Sequence, residues 1–131
     1  MAQARYIPVT IASGASVSDT FVLAPGELII ALETPATWTA ADLAVQISRD
    51  GGTNFLNIFD NAGAANANAV AKVVTAANEL HFLGLISAAG GAMIFTVLGP
   101  LTFRLQSQTA GALTTVNQGA ARICQVLAVK F

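Results

Sequence analysis

The sequence predicts an all-β fold, an antiparallel β-sandwich of jelly-roll-like form with about eight to ten short strands. Apolar and polar residues alternate with a period of two in several short runs, as in half-buried strands. Turn-forming residues separate these runs at intervals of roughly 8–14 residues, and no run has the apolar spacing of an amphipathic helix. The 131 residues fit one domain, 1–131. A small β-barrel is the second choice.

The first strand is predicted where Ile7, Val9 and Ile11 share one face. Proline has no N–H to donate to a ladder, so Pro8 places this strand at a sheet edge. Turns at residues 13–16 and 25–26 delimit two further predicted strands, over residues 17–23 and 27–32.

The clearest pattern lies at the centre of the chain, where Leu43, Val45 and Ile47 alternate with smaller or polar residues. Asp50 and Gly51 follow, and an apolar, β-branched run resumes over residues 53–59. An Asp-Gly pair between two such runs predicts a β-hairpin, because the tight turn needs a positive φ.

The second half of the chain continues the alternation of loops and strands. The Ala- and Asn-rich residues 62–71 predict a surface loop, and later strands are predicted over residues 70–75, 80–86, 92–98, 101–107 and 120–131. Residues 82–98 are mostly apolar, but a Gly pair at 90–91 and Pro100 interrupt the stretch. Two buried strands joined by a turn at 88–91 therefore explain it better than a membrane span.

The charge content is low. Charged residues make up 10% of the chain, the formal net charge is -1, and hydrophobic types make up 54%. Binding to nucleic acid is not expected, because it requires clustered Lys and Arg, and the apolar content argues against disorder. A weakly charged surface costs little to desolvate and lacks self-repulsion, which favours a protein that works within an assembly.

Few residues are suited to catalysis or metal binding. His81 is the only histidine, and Cys124 lies in an apolar run where it is expected to be a small buried residue. Neither a nucleophilic site nor a four-ligand zinc site can be built from them. Asp42, Asp50 and Asp60 lack the spacing of a calcium loop. The sequence therefore predicts no enzyme, no catalytic residue, no cofactor and no metal site.

Trp38, the only tryptophan, has two interpretations. An exposed tryptophan on a β-sandwich can stack on a sugar ring, which would make Trp38 a glycan-binding residue. A lone tryptophan at the end of a strand more often packs into the core, and this is the favoured interpretation.

The sequence also bears on the compartment. With one cysteine, Cys124, the chain forms no intrachain disulfide and does not depend on an oxidising environment. Its first residues lack the basic and apolar regions of a secretory signal. We expect synthesis in a cytoplasm.

Residues 38–43 (WTAADL), 45–55 (VQISRDGGTNF) and 58–63 (IFDNAG) combine a tryptophan, an alternating strand and an Asp-Gly turn. This central motif resembles the pattern of small β-rich virion proteins of tailed bacteriophages. Residues 101–107 and 116–122 resemble the closing strands of the same proteins. The resemblance covers about half of the chain and does not include residues 62–71 or 80–98.

The resemblance implies a structural role in a phage particle made in a bacterial host. The leading hypothesis is a capsid decoration, or cement, protein at the capsid surface. Its expected partners are the major capsid protein and copies of itself, with a trimer as one form of the homo-oligomer. Neither nucleic acid nor a membrane is an expected partner. The alternatives are a carbohydrate-binding or host-recognition module of a head or tail fibre, and a tail or adaptor component. Because chain ends often reach neighbouring subunits, the candidate interface residues are Ala2, Gln3, Ala4, Arg5, Tyr6 and Phe131.

Overall fold

Nine β-strands make up the regular structure in the computed structural model, which describes residues 3–57, 71–72, 77–82, 101–109 and 114–130. Within these residues there is no helix. The strands are β1 (Gln3–Ile11), β2 (Phe21–Leu23), β3 (Glu27–Glu33), β4 (Asp42–Ser48), β5 (Leu56–Asn57), β6 (Ala71–Lys72), β7 (Leu80–Phe82), β8 (Leu101–Gln108) and β9 (Arg122–Lys130).

The strands form two antiparallel sheets. The first sheet has the order β1-β9-β3-β7, and the second has the order β2-β8-β4, with β5 and β6 pairing in succession along the outer edge of β4. Within this arrangement the first strand pairs with the last, β2 with β8, β3 with β7, and β4 with β5 and β6. This nested pairing across two sheets is that of a jelly roll. The predicted β-sandwich is confirmed, and the second choice, a small barrel, is not the fold.

The two sheets enclose one hydrophobic core. Side chains of alternate residues point inward from both sheets, as the period-two patterns predict. The rings of Phe21 and Phe103 stack at the centre, with centroids 5.7 Å apart. The buried residues of the core cluster are Val9, Ile11, Phe21, Leu23, Ile29, Leu32, Leu43, Val45, Phe103, Leu105, Cys124, Val126 and Ala128.

The predicted edge position of the first strand is confirmed. β1 is the outermost strand of the first sheet and pairs along its whole length with β9, from Gln3 opposite Lys130 to Ile11 opposite Arg122. Pro8 therefore lies on a strand that has one neighbour, β9, among the described strands of its sheet.

The second strand is shorter than the sequence predicts. The pattern favours a continuous strand over residues 17–23, whereas β2 begins only at Phe21, and Val17 and Ser18 form isolated bridges. Ser18 contacts both sheets: its N–H donates to the carbonyl of Leu105, and the residue lies opposite Ile11 of β1. The segment therefore connects β1 of the first sheet to β8 of the second sheet at one side of the sandwich.

The predicted hairpin at Asp50 is present, but its second strand begins later than the sequence predicts. Gly51 and Gly52 have φ of 75° and 100°, and β5 starts at Leu56 instead of residue 53. The Asp50 carboxylate explains the wider loop, because it accepts hydrogen bonds from the backbone N–H groups of Thr53 and Asn54 and from the Ser48 hydroxyl.

Several predictions fall partly or wholly outside the described residues. The turn at 88–91 and the strand over 92–98 lie wholly outside them. Of the loop over 62–71, only Ala71 is described, and the strands over 53–59, 70–75 and 80–86 are described in part. Within the described ranges, no helix has the length and apolar character that crossing a membrane requires.

Candidate interface at the amino-terminal edge strand

The predicted interface residues of the amino terminus lie together on β1. Gln3, Ala4, Arg5 and Tyr6 are all exposed, and Tyr6 retains 54% of its accessible surface. Ala2 and Phe131 lie outside the described residues. The first part of β1 is therefore an accessible strand at the edge of a sheet.

Arg5 is an anchor of this strand. Its side chain lies on the inward face, the face of Ile7 and Val9, at the end of the sandwich. Its Nε and Nη2 atoms donate to Glu27 Oε2 and Oε1, each at 2.7 Å, and Nη2 also donates to the carbonyl of Val22 at 3.3 Å. Arg5 therefore joins β1 to β3 and to the second sheet, a contact that the local sequence pattern does not predict.

Glu27 is the buried partner in this ion pair. It is 4% exposed, and its Oε1 accepts a further hydrogen bond from the N–H of Ala24 at 2.6 Å. Hydrogen bonding by Arg5 lowers the pKa of the Glu27 carboxyl against the opposing effect of burial, and the same contact raises the pKa of Arg5. Because it is held ionised and bonded, Glu27 is suited to fixing β1 and unsuited to acid–base catalysis.

The free edge of β1 is closed at one end by Asp19. The Asp19 carboxylate accepts the N–H of Thr10 at 2.7 Å, and the Asp19 N–H donates to the Thr10 carbonyl at 3.0 Å. The backbone groups of Thr10 thus point away from β9. In an antiparallel ladder this direction alternates along the strand, so the backbone groups of Ala4, Tyr6 and Pro8 also point to the free edge.

The outer face of the second sheet has a network of amide side chains, which we call the amide network: Gln46, Asn57, Gln106 and Gln108. Gln46 Nε2 donates to Asn57 Oδ1 at 2.9 Å and to Gln106 Oε1 at 3.1 Å. Gln108 Nε2 donates to the same two oxygens, at 3.2 and 2.6 Å. The alternation of β4 and β8 predicts outward positions for Gln46 and Gln106, but not their contact.

A single cation borders the amide network in the described part of the second sheet's outer face. Arg104 donates from Nε to Gln46 Oε1 at 2.6 Å, and its guanidinium lies 4.1 Å from the centre of the Phe55 ring. Burial lowers the pKa of Arg104. The guanidinium is therefore engaged with an amide and a ring, and no carboxylate pairs with it among the described residues.

Trp38 packs against the hydrophobic core and is partly buried. Its Nε1 donates to the carbonyl of Ala41 at 3.3 Å. This position agrees with the favoured interpretation of Trp38 as a packing residue and leaves less of its ring for stacking on a sugar.

The residues considered for chemistry are dispersed. His81 is in β7, and its Nε2 lies 2.7 Å from Glu79 Oε2. Cys124 is fully buried in β9, and burial raises the pKa of its thiol to about 12. Asp42 lies in β4 and Asp50 in the loop after it, and Asp60 is outside the described residues. In the described ranges no three His, Cys, Asp or Glu residues gather in a group that could hold a metal ion.

Comparisons with known proteins identified no relative. The chain matches no protein-family model, no curated protein and no solved structure.

Proposed function

We propose that this chain is a structural protein of a bacteriophage particle, most specifically a decoration protein that binds the head shell and stabilises it. The single observation that carries the proposal is the small number of charged residues, 10% of the chain, together with the bonding of several of them to groups of the same chain.

The internal contacts can be named. Arg5 and Glu27 bind each other, Asp19 closes the edge of β1, and Asp50 holds its own loop together. Arg104 is engaged with Gln46. The exposed apolar residues, among them Val22, Leu56 and Ile123, have no ion hydration shell to lose when a large partner docks.

The fold is compatible with this role. Jelly rolls recur in viral capsid domains, although they also occur in lectins, so the fold alone does not identify the function. The described part of the central motif that resembles phage virion proteins, residues 38–43 and 45–55, runs through β4 and the Asp50 loop, where Leu43, Ile47 and Asp50 contribute to packing and loop closure. The resemblance therefore concerns the scaffold of the sandwich, and exposed uncharged residues such as Val22, Leu56 and Ile123 supply the surface for docking.

The carbohydrate-binding alternative has less support. It relies on Trp38, whose ring packs against the core and whose Nε1 is bonded to Ala41. A glycan-array signal that is lost in Trp38→Ala would favour this alternative over decoration.

The test compares phage particles assembled with and without this chain. If the chain decorates the shell, particles that lack it will release their genome at lower temperature or under milder osmotic shock. Adding the purified protein back should restore resistance and should saturate at a fixed number of copies per particle. Equal resistance of the two particles, or no binding of the added protein, would contradict the proposal.

A further inference from the structure

We infer that two copies of this chain pair through their β1 edges, antiparallel and about a two-fold axis at Tyr6. The two first sheets, each four strands wide, would then form one continuous sheet. This inference goes beyond the proposed virion function and does not depend on it.

The free edge of β1 presents a defined set of backbone groups. Ala4 and Tyr6 direct both an N–H and a carbonyl to this edge, whereas Pro8 directs only a carbonyl. All three residues are exposed. An exposed edge with open donors and acceptors is a template for another strand.

The sequence of β1 favours one of the three two-fold registers in which at least two of these residues pair with one another across the axis. An axis at Arg5 would place the two arginines directly opposite each other, where like charges destabilise a strand pair. An axis at Ile7 would place Tyr6 opposite Pro8 and Ala4 opposite Thr10, whose edge Asp19 already occupies. Each copy would then leave the N–H of Ala4 unpaired.

The axis at Tyr6 satisfies every free donor. The N–H of each Tyr6 donates to the Tyr6 carbonyl of the other copy, and the N–H of each Ala4 donates to the carbonyl of Pro8. Because Pro8 has no N–H, the carbonyl of each Ala4 is the one edge group of this ladder that accepts no hydrogen bond from the other copy. Arg5 then lies opposite Ile7 of the other copy, and each guanidinium keeps its own Glu27.

The same register fits the length of the open edge. With the axis at Tyr6, Gln3 lies opposite Val9, and the ladder ends where Asp19 begins to occupy the edge. The two Tyr6 side chains, each 54% exposed in the single chain, come together on the outer face as a cross-strand aromatic pair. A second copy is therefore the occupant that matches this edge in donors, charge and length.

The first experiment uses Tyr6→Pro in the full chain. The N–H of Tyr6 points away from β9, so its loss leaves the pairing of β1 with β9 intact, as Pro8 already does two residues later. We expect sedimentation to give a dimer of the 13.4 kDa chain for the wild type. Loss of the two Tyr6 bonds should raise the dimer Kd roughly 10- to 100-fold, with unchanged circular dichroism. A monomeric wild type, or an oligomer that Tyr6→Pro leaves unchanged, would overturn the inference.

The second experiment locates the axis with a thiol cross-linker. Tyr6→Cys places the two new thiols opposite each other, so a short bis-maleimide should link most of the protein into dimers. Leu56→Cys is the matched control, because Leu56 is 56% exposed and lies on β5, at the edge of the second sheet opposite to β2. The native Cys124 is buried and does not compete. Equal cross-linking of the two variants would contradict the inference even if the wild type were dimeric. An absence of cross-linking in Tyr6→Cys would contradict it as well.

Discussion

Arg5 and Glu27 bind each other across a strand that separates them. Arg5 is on β1 and Glu27 on β3, and β9 lies between the two strands. Ala128 of β9 is the register partner of Arg5, and its small side chain leaves room for the guanidinium to reach over it. The outermost strand is therefore held by two attachments, its ladder with β9 and this ion pair.

Removing the arginine should destabilise the fold. We expect Arg5→Ala to lower the free energy of unfolding by roughly 1–2 kcal/mol, because a buried carboxylate loses its cation. The loss stays below that of a fully buried pair, since the Arg5 side chain is 50% exposed. Urea unfolding measures the change, and Arg49→Ala, in the exposed loop after β4, is the control with an expected change within about 0.5 kcal/mol. Equal stability of the two variants would contradict the role of Arg5.

The same pair should make stability depend on pH in the acid range. An unfolded glutamate titrates near pH 4.3, and hydrogen bonding by Arg5 lowers the pKa of Glu27 in the fold. The unfolded chain therefore binds more protons between these two values. The contribution of Glu27 to the free energy of unfolding is fully present above its pKa in the unfolded chain. It is lost as the pH falls through its lower pKa in the folded chain. Unfolding free energies from pH 6 to 2 should fall more steeply for the wild type than for Glu27→Gln, and parallel curves would argue against this linkage.

Two glycines offer a matched test of backbone strain. Gly51 has a φ of 75° and no neighbouring atom within 4 Å of the position that an alanine methyl would take, so Gly51→Ala should cost about 1 kcal/mol from the backbone alone. Gly119 has no positive φ, and its added methyl would meet Thr39 Oγ1 at an ordinary 3.7 Å. Gly119→Ala should therefore be nearly neutral. Thermal unfolding of the two variants checks the difference, and the reverse order would refute the geometry of the Asp50 loop.

Cys124 should be inert in the folded protein. Its side chain is fully buried, and burial raises the pKa of its thiol to about 12, so almost no thiolate forms at neutral pH. We expect a thiol reagent to label the native protein at the rate of global unfolding, and to label it at once in denaturant. Rapid labelling without denaturant would show that the core near β9 opens locally.

The sequence predicts the fold well where local pattern decides the structure. Alternation in β4 and β8 places Leu43 and Leu105 in the core, and Pro8 identifies an edge strand. Local pattern is less informative where a side chain bonds to a distant backbone group. Ser18 exchanges hydrogen bonds with the backbone of Leu105 on β8 at a point that β2 does not reach, an interaction that no nearby residue signals.

The candidate interface is only partly predictable for the same reason. The terminal position of residues 3–6 predicts their exposure, but the attachment of Arg5 depends on Glu27, 22 residues away. The amide network joins Gln46 to Gln106 over 60 residues. Alternation gives the face on which such residues lie, whereas the identity of their neighbours depends on the strand order.

Nested pairing has a consequence for the order of folding. The tip of the nested arrangement, β4 with β5, closes a short loop, whereas β1 must wait for β9 at the other end of the chain. In a nascent chain that ends before Arg122, β4 and β5 can pair, but β1 lacks its partner β9. During synthesis, β1 should therefore remain cleavable by protease until β9 has left the ribosome.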